Sequence, residues 1–182
     1  ASVNCKNKVK GLAVFLAAVT VLTGCNGNNT AELKTANFFA MDTYISISAC
    51  GKNSENALEN CRKEIEELET LLSVTDENSE IYKINQGVKD GIKLSEDTEK
   101  IILAALEISE KTDGALDISL YPVIKEWGFT SGDYKIPDSK ALTELLKNTD
   151  HEKIGLKDGL LTIPEKFQID LGAAAKGYAS DK

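Results

Sequence analysis

The sequence predicts an α+β fold, with helices packed on a mostly antiparallel sheet. Three observations carry that reading. Residues 38–50 alternate between apolar and polar side chains, the two-residue period of a half-buried strand. Residues 54–72 and 95–111 repeat apolar side chains every three or four positions, the period of an amphipathic helix. Asp158-Gly159 separates two short apolar runs, and that residue pair favours a tight hairpin.

The elements follow in chain order. In Phe38–Cys50, Thr43, Ile45, Ile47 and Ala49 fall on one face and Tyr44, Ser46 and Ser48 on the other. Gly51–Asn53 turns the chain into a helix over Ser54–Leu72, whose inward stripe is Leu58, Cys61, Ile65, Leu68 and Leu72. The charged run Arg62–Glu69 is the solvated face of that helix. A polar loop, Ser73–Ser79, leads to a short helical turn over Glu80–Gln86, and Ile92–Leu94 reads as a short strand. Ser95 opens a second long helix with acids in its first turn, and Gly114 lies just beyond its end. Its stripe is Ile101, Ala105 and Ile108. After Leu120–Trp127 comes a third helix over Ser139–Asn148, with Leu142, Leu145 and Leu146 inward. Lys153–Leu156 and Leu160–Ile163 form the hairpin, Phe167–Leu171 a further strand, and Gly172–Lys182 a helix whose apolar residues expect a partner from chain further on.

The chain has 182 residues, 42% hydrophobic and 27% charged, which suits a soluble globular domain. Twenty-one basic residues against 29 acidic ones give a net charge of −8. That balance argues against nucleic acid as a partner, since phosphate neutralisation calls for a basic stripe. No apolar run reaches the roughly 18–20 residues that cross a bilayer. Residues 1–24 nevertheless differ from the rest. Lys6, Lys8 and Lys10 precede the apolar run Gly11–Leu22, the form of a secretory signal. It ends in Leu22-Thr23-Gly24-Cys25, an aliphatic residue and two small ones before a cysteine, which resembles a bacterial lipobox. The reading is a signal peptide at 1–24, a lipidated tether at 25–36 beginning at Cys25, and a folded domain at 37–182. It places the protein on the extracytoplasmic face of a bacterial membrane. Cys50 and Cys61 remain in the exported part, where either a disulfide or two thiols is permitted. No Cys/His group has the spacing of a zinc site.

Two segments concentrate chemistry. The first runs from Thr112-Asp113-Gly114-Ala115-Leu116-Asp117 through Tyr121-Pro122 to Trp127-Gly128-Phe129. As a ligand-lining loop it offers Asp117 to a heterocycle N–H or a ribose hydroxyl. As structure it is a helix cap at Gly114 with Trp127 and Phe129 in the core. The second is Ile169-Asp170-Leu171-Gly172-Ala173-Ala174-Ala175-Lys176-Gly177-Tyr178. Here small residues open a helix whose free amides favour an anion, with Lys176 adding charge. The alternative makes Asp170 an N-cap and the alanines close helix packing. Its glycine spacing fits neither a Walker loop nor a dinucleotide fingerprint.

TDGALDISLYPVIKEWGF resembles the Gly-Ala-Phe-Asp…Pro…Trp-Gly-Phe block of the FAD:protein FMN transferases, the ApbE-like family. IDLGAAAKGYASDK is similar to that family's Asp-Leu-Gly-x-x-Ala-Lys-Gly-Tyr-x-x-Asp block. Ala40-Met41-Asp42-Thr43 resembles its opening Met-Gly-Thr strand, and LLSVTDENSEIYKIN its Phe-Ser…Ser-Glu-x-x-x-x-Asn block. The blocks stand in family order from Met41 to Lys182. Family members are often bacterial lipoproteins, which accords with Cys25.

The resemblance implies an enzyme that takes FAD, keeps the FMN half, and attaches it to a Thr or Ser hydroxyl of an extracytoplasmic acceptor protein, with Mg²⁺ assisting and AMP leaving. It implies FAD contacts at Met41, Thr75, Ala115, Leu116, Asp117, Asp170 and Lys176, and a metal contact from the Ala173 backbone carbonyl. Thr75 departs from the family, which often has an aromatic residue there to stack on the flavin. Asp42 departs from the usual glycine. The family's remaining metal ligands and a His-containing segment belong to a C-terminal half, so this chain reads as an N-terminal part, inactive alone. The single histidine, His151, matches no family motif and reads as a surface residue. The alternatives are a Mg-dependent FAD pyrophosphatase on the same scaffold and a non-catalytic, lipid-anchored flavin-binding protein.

Overall fold

A computed structural model describes residues 32–88 and 90–182. The expected signal segment, Cys25 and the tether as far as Ala31 lie outside the described residues. The expected single strand is two. β1 (Leu33–Ala40) and β2 (Thr43–Cys50) pair antiparallel, with Ala40 opposite Thr43 and Leu33 opposite Cys50. Met41 and Asp42 form the two-residue turn with φ of 50° and 55°, the left-handed geometry that suits the right-handed twist of a hairpin. Met41 hides that turn, because the conformation normally selects Gly, Asn or Asp, and of the two only Asp42 is of that kind. β1 therefore begins at Leu33, inside the stretch expected to be tether. The alternation within β2 is as read, with Thr43, Ile45, Ile47 and Ala49 turned inward.

α1 (Ser54–Leu72) lies against this hairpin and has the expected bounds. It buries Leu58, Ile65, Leu68 and Leu72, whereas Cys61 is exposed, so the stripe is narrower than expected. Arg62 lies over the Phe38 ring, 5.6 Å from its centroid, and closes the hairpin's small core of Phe38, Ala40 and Ile65. α2 (Glu80–Asn85) is capped by Ser79, whose hydroxyl accepts from the Tyr82 amide at 2.9 Å. α3 (Glu96–Lys111) is capped by Ser95. Its buried face is Thr98, Ile101, Ile102, Ala105 and Ser109, while Ile108 stays 46% exposed, a correction to the stripe. Ser109 fills the inward place because its hydroxyl donates to the Ala105 carbonyl at 2.8 Å and so is satisfied inside the core.

Beyond a 3₁₀ turn at Ile118–Leu120 come α4 (Tyr121–Glu126) and α5 (Ser139–Leu145). The third helix tightens to 3₁₀ geometry at Leu146–Asn148, which turns Leu146 outward at 51% exposure rather than inward. A three-stranded antiparallel sheet joins β3 (Ile92–Lys93), β5 (Leu160–Thr162) and β4 (Gly155–Lys157), with β5 central. The β4–β5 turn is the expected Asp158-Gly159. α6 (Gly172–Asp181) packs on α1 and α3. The principal core, including Leu68, Ile84, Ile101, Leu161, Ile169 and Ala175, lies among α1, α2, α3, the small sheet and α6.

Residues 167–171 do not form the expected strand. Phe167, Ile169 and Leu171 alternate inward as a strand would, but their neighbour is a side chain. Asn85 accepts from the Ile169 amide at 2.7 Å and donates to the Ile169 carbonyl at 2.9 Å.

Candidate functional site

The end of α3 builds the first wall. Asp113 and Gly114 take positive φ, and the Gly114 amide donates back to the Ser109 carbonyl at 2.9 Å, which stops the helix. A Cβ on Gly114 would lie 3.3 Å from Cε1 of His151, so the half-buried histidine packs on this turn. Ala115 is exposed, and Leu116 is half-buried against the principal core.

Asp117 is half-buried and caps the 3₁₀ turn. Its Oδ1 accepts from the Ser119 amide at 2.8 Å and from the Ser119 hydroxyl at 2.6 Å. Ser119, fully buried, accepts in turn from the Asp150 amide at 2.8 Å. One carboxylate oxygen is thus committed to structure. Among the described residues Oδ2 has no hydrogen-bond partner. The alternative that put Phe129 in the core does not hold: it is 61% exposed and stacks on half-buried Trp127 at 6.3 Å. Gly128 between them is required, since a Cβ there would sit 2.1 Å from the Asp133 carbonyl oxygen.

The second wall is the segment entering α6. The Asp170 amide donates to the Ile118 carbonyl at 2.9 Å, which sets the two chemistry-rich segments side by side. The Asp170 Oδ1 accepts from the Gly172 amide at 2.9 Å. Burial pushes the Asp170 carboxyl above the ordinary carboxylate range, against the opposing pull of the Gly172 amide and the Lys176 charge. The phenol of Tyr121 is pushed up by burial as well, with Asp170 among its neighbours. In α6, the amides of Ala174 and Ala175 both donate to the Leu171 carbonyl. Among the described residues the Ala173 amide has no partner, so it faces out of the positive end of the helix.

The loop after α1 forms a third wall. Ser73 accepts from the amides of Thr75 and Asp76 at 3.2 and 3.0 Å, and Tyr121 donates to the Val74 carbonyl at 3.5 Å. Thr75 is exposed, with its hydroxyl 3.2 Å from that of Ser73. Met41 and Lys176 meet elsewhere. Both line a cleft of ≈ 690 Å³ between β2, α1 and α6, together with Ile45, Cys61, Glu64 and Lys182. The Met41 amide donates to Glu69 at 2.8 Å, which fixes the hairpin turn to α1. The expected residues thus form two groups, one around Asp117 and Asp170 and one at the cleft, joined by the start of α6.

Magnesium finds little here. Among the described residues no three His, Cys, Asp or Glu side chains converge as a metal site. Ala173 lies in the first turn of α6, where the helical ladder aims its carbonyl at the Gly177 amide. Four supporting residues were not visible as such in sequence: Glu69, Asn85, Ser119 and Tyr121. Glu69, Asn85 and Tyr121 act across long stretches of chain, while Ser119 joins Asp117, two residues away, to the distant Asp150 amide; the sequence hints are the Ser-x-x-x-x-x-Asn spacing that ends at Asn85 and the place of Tyr121 in the first dense segment.

Comparison with known proteins decides the relationship. The model of the ApbE family matches residues 41–182. This chain belongs to the ApbE family. A FAD:protein FMN transferase of Haemophilus influenzae is 27% identical over 154 residues, 76% of this chain and 43% of that protein. Another from Salmonella typhimurium is 28% identical, covering 93% of this chain and 53% of the relative. Among solved structures, an ApbE protein from Thermotoga maritima superposes with a TM-score of 0.78 at 29% identity, over 82% of this chain and 50% of the other. A flavin transferase ApbE from Vibrio cholerae shares the fold at a TM-score of 0.75 and 24% identity, over 83% of this chain and 52% of the other. The chain spans about half the length of the curated relatives it matches.

Proposed function

We propose that the complete protein transfers FMN from FAD to a Thr or Ser hydroxyl of an extracytoplasmic acceptor protein. The acceptor oxygen forms a bond to the FMN phosphorus, the pyrophosphate P–O bond breaks, AMP departs, and the hydroxyl proton is released. Such a transfer is mostly positioning and charge neutralisation. The observation that best supports the reading is the Asp170–Ile118 backbone bond, which brings two widely separated ApbE blocks into one wall. In this reading Met41 meets the flavin ring, and Ala115, Leu116 and the open oxygen of Asp117 line the nucleotide. Asp170 and Lys176 hold the polar part of FAD, with the first turn of α6 toward its phosphates. Magnesium supplies charge neutralisation. The described residues offer it the Ala173 carbonyl and no carboxylate cage, so its other ligands come from elsewhere in the protein. Cys25 carries the lipid that holds the enzyme on the extracytoplasmic face of a bacterial membrane.

One observation favours a second reading, a FAD pyrophosphatase: Thr75 is exposed and offers no aromatic face where the flavin would stack. Incubating the complete protein with FAD, Mg²⁺ and a Thr-containing acceptor separates the possibilities. Covalent flavin on the acceptor supports transfer. Free FMN and AMP support hydrolysis. Binding without products leaves a flavin-binding protein.

A further inference from the structure

Asn85 has no part in the chemistry just described, yet it is among the most constrained polar residues of the fold. It ends α2 and is 7% exposed. Its side-chain amide satisfies both main-chain groups of Ile169, a residue with 0% exposure, at 2.7 and 2.9 Å. Its own carbonyl accepts from the Gln168 side chain at 2.9 Å. On the opposite side the Asp170 amide is held by the Ile118 carbonyl. Residues 168–170 are therefore clamped between α2 and the Asp117 loop. An apolar residue at position 85 would fill the same space and leave two buried backbone groups unsatisfied. A true neighbouring strand would satisfy them and continue along the segment past Asp170. A single amide serves one residue, and Asp170 remains half-buried, within electrostatic reach of Tyr121 and the Lys176 charge.

We propose that Asn85 is a positioning residue of the flavin site: standing in for a strand, it fixes the Asp170 carboxylate and the first turn of α6 against the Ile118 loop. The proposal rests on the reading of Asp170 as an FAD-binding group. Asn85 touches no substrate and acts only through Asp170 and the helix that follows.

The test uses the complete natural protein with the variants N85A, N85D and D170N and the doubles N85A/D170N and N85D/D170N. FAD affinity is measured by titration, and exchange of the Gly172 amide, which reports its bond to Asp170, by NMR or mass spectrometry. Each Asn85 variant should weaken FAD binding by about tenfold, the usual scale for removing a support behind a ligand-binding group. Each double should lose clearly less affinity than its two single losses multiplied, because part of the effect of Asn85 passes through Asp170. Gly172 exchange should quicken by about tenfold or more in both Asn85 variants, while the amides of the α3 core keep their protection. If N85A does not fold, the isosteric N85D, which keeps an acceptor for the Ile169 amide, carries the cycle. Losses that multiply in the doubles would overturn the proposal and make Asn85 a general structural residue. So would unchanged Gly172 exchange in a folded Asn85 variant. The exchange readout needs no flavin. A wild-type protein that binds no FAD would therefore sink the functional reading and leave Gly172 to decide on Asn85.

Discussion

Replacing Asp117 by alanine removes two things at once, and the structure separates them. The first is the cap on the 3₁₀ turn, whose loss costs about 0.5–2 kcal/mol. The second is the acceptor for the Ser119 hydroxyl, which is fully buried and would keep its bond from the Asp150 amide but lose its own outlet. A buried donor left unsatisfied costs about 1–3 kcal/mol. Together they amount to about 1.5–5 kcal/mol, a large share of the roughly 5–15 kcal/mol that holds a domain folded. At about 2–4 °C per kcal/mol for a chain of this size, D117A should melt about 3–20 °C below wild type. Asparagine keeps the oxygen that serves Ser119 and discards the charge, so D117N should stay within a few degrees of wild type. Circular dichroism melts of both variants read this directly. If the open oxygen binds FAD, D117N should still weaken FAD by about 1–3 kcal/mol, the range for a hydrogen bond involving a charge. A D117A melt equal to wild type would refute the capping argument. A D117N protein with wild-type stability and wild-type FAD affinity would leave Asp117 as a purely structural residue.

Thr75→Tyr should leave stability nearly unchanged, because Thr75 is exposed and bonds only to Ser73, while tightening FAD by about 1–3 kcal/mol through stacking and lowering AMP release into water; unchanged FAD affinity and AMP release would show that position 75 does not face the flavin. Cys25→Ser should release the protein from membranes or leave its precursor unprocessed, as cell fractionation would show. The Asp97 carboxyl is held below its usual range by Lys182 at 2.8 Å and Tyr178 at 2.6 Å, which ties α6 to α3. That stability is present above the ordinary carboxyl range and lost as pH falls through the depressed folded value, so the melting gap between wild type and D97N, worth about 0.5–1 kcal/mol at pH 7, should close toward acid pH. Asp170 has the opposite sign, since burial raises its folded value. Stability is therefore lost as pH rises from the ordinary carboxyl range through that raised value, so D170N should melt above wild type at neutral pH and match it below the ordinary carboxyl range.

Where local chemistry and packing agree, the sequence is sufficient to place elements. Ser54–Leu72 is a helix with the bounds its apolar spacing implies, and Asp158-Gly159 turns where the dipeptide says it should. The first hairpin was hidden because its turn begins at Met41, which reaches positive φ because the paired strands and the Glu69 contact hold it there. Phe167–Leu171 has the alternation of a strand without a strand partner, because Asn85 supplies the bonds from 84 residues away. No local pattern encodes that. Ile108 and Leu146 are apolar residues left outside by a rotated face and a tightened last turn. At the site, Asp117 and Asp170 were legible as the polar members of two dense segments. Their contact through Ile118 was not, since it depends on how α3 ends and α6 begins. The Asp117–Ser119 bonds are a local Asp-x-Ser cap, whereas the support given to Asp170 by Asn85 appears only once the chain is folded.

FMN transfer and hydrolysis differ in where the two phosphorus atoms of FAD go. FAD carrying an isotopic label on the FMN phosphate in one preparation, and on the AMP phosphate in another, would be given to the complete protein with Mg²⁺ and a Thr-containing acceptor. Mass spectrometry of the acceptor then follows each label. Transfer puts the FMN label on an acceptor hydroxyl, released by its digestion as a flavin-bearing peptide, with the AMP label wholly in free AMP. Both labels recovered in free nucleotides, with the acceptor unmodified, would contradict it.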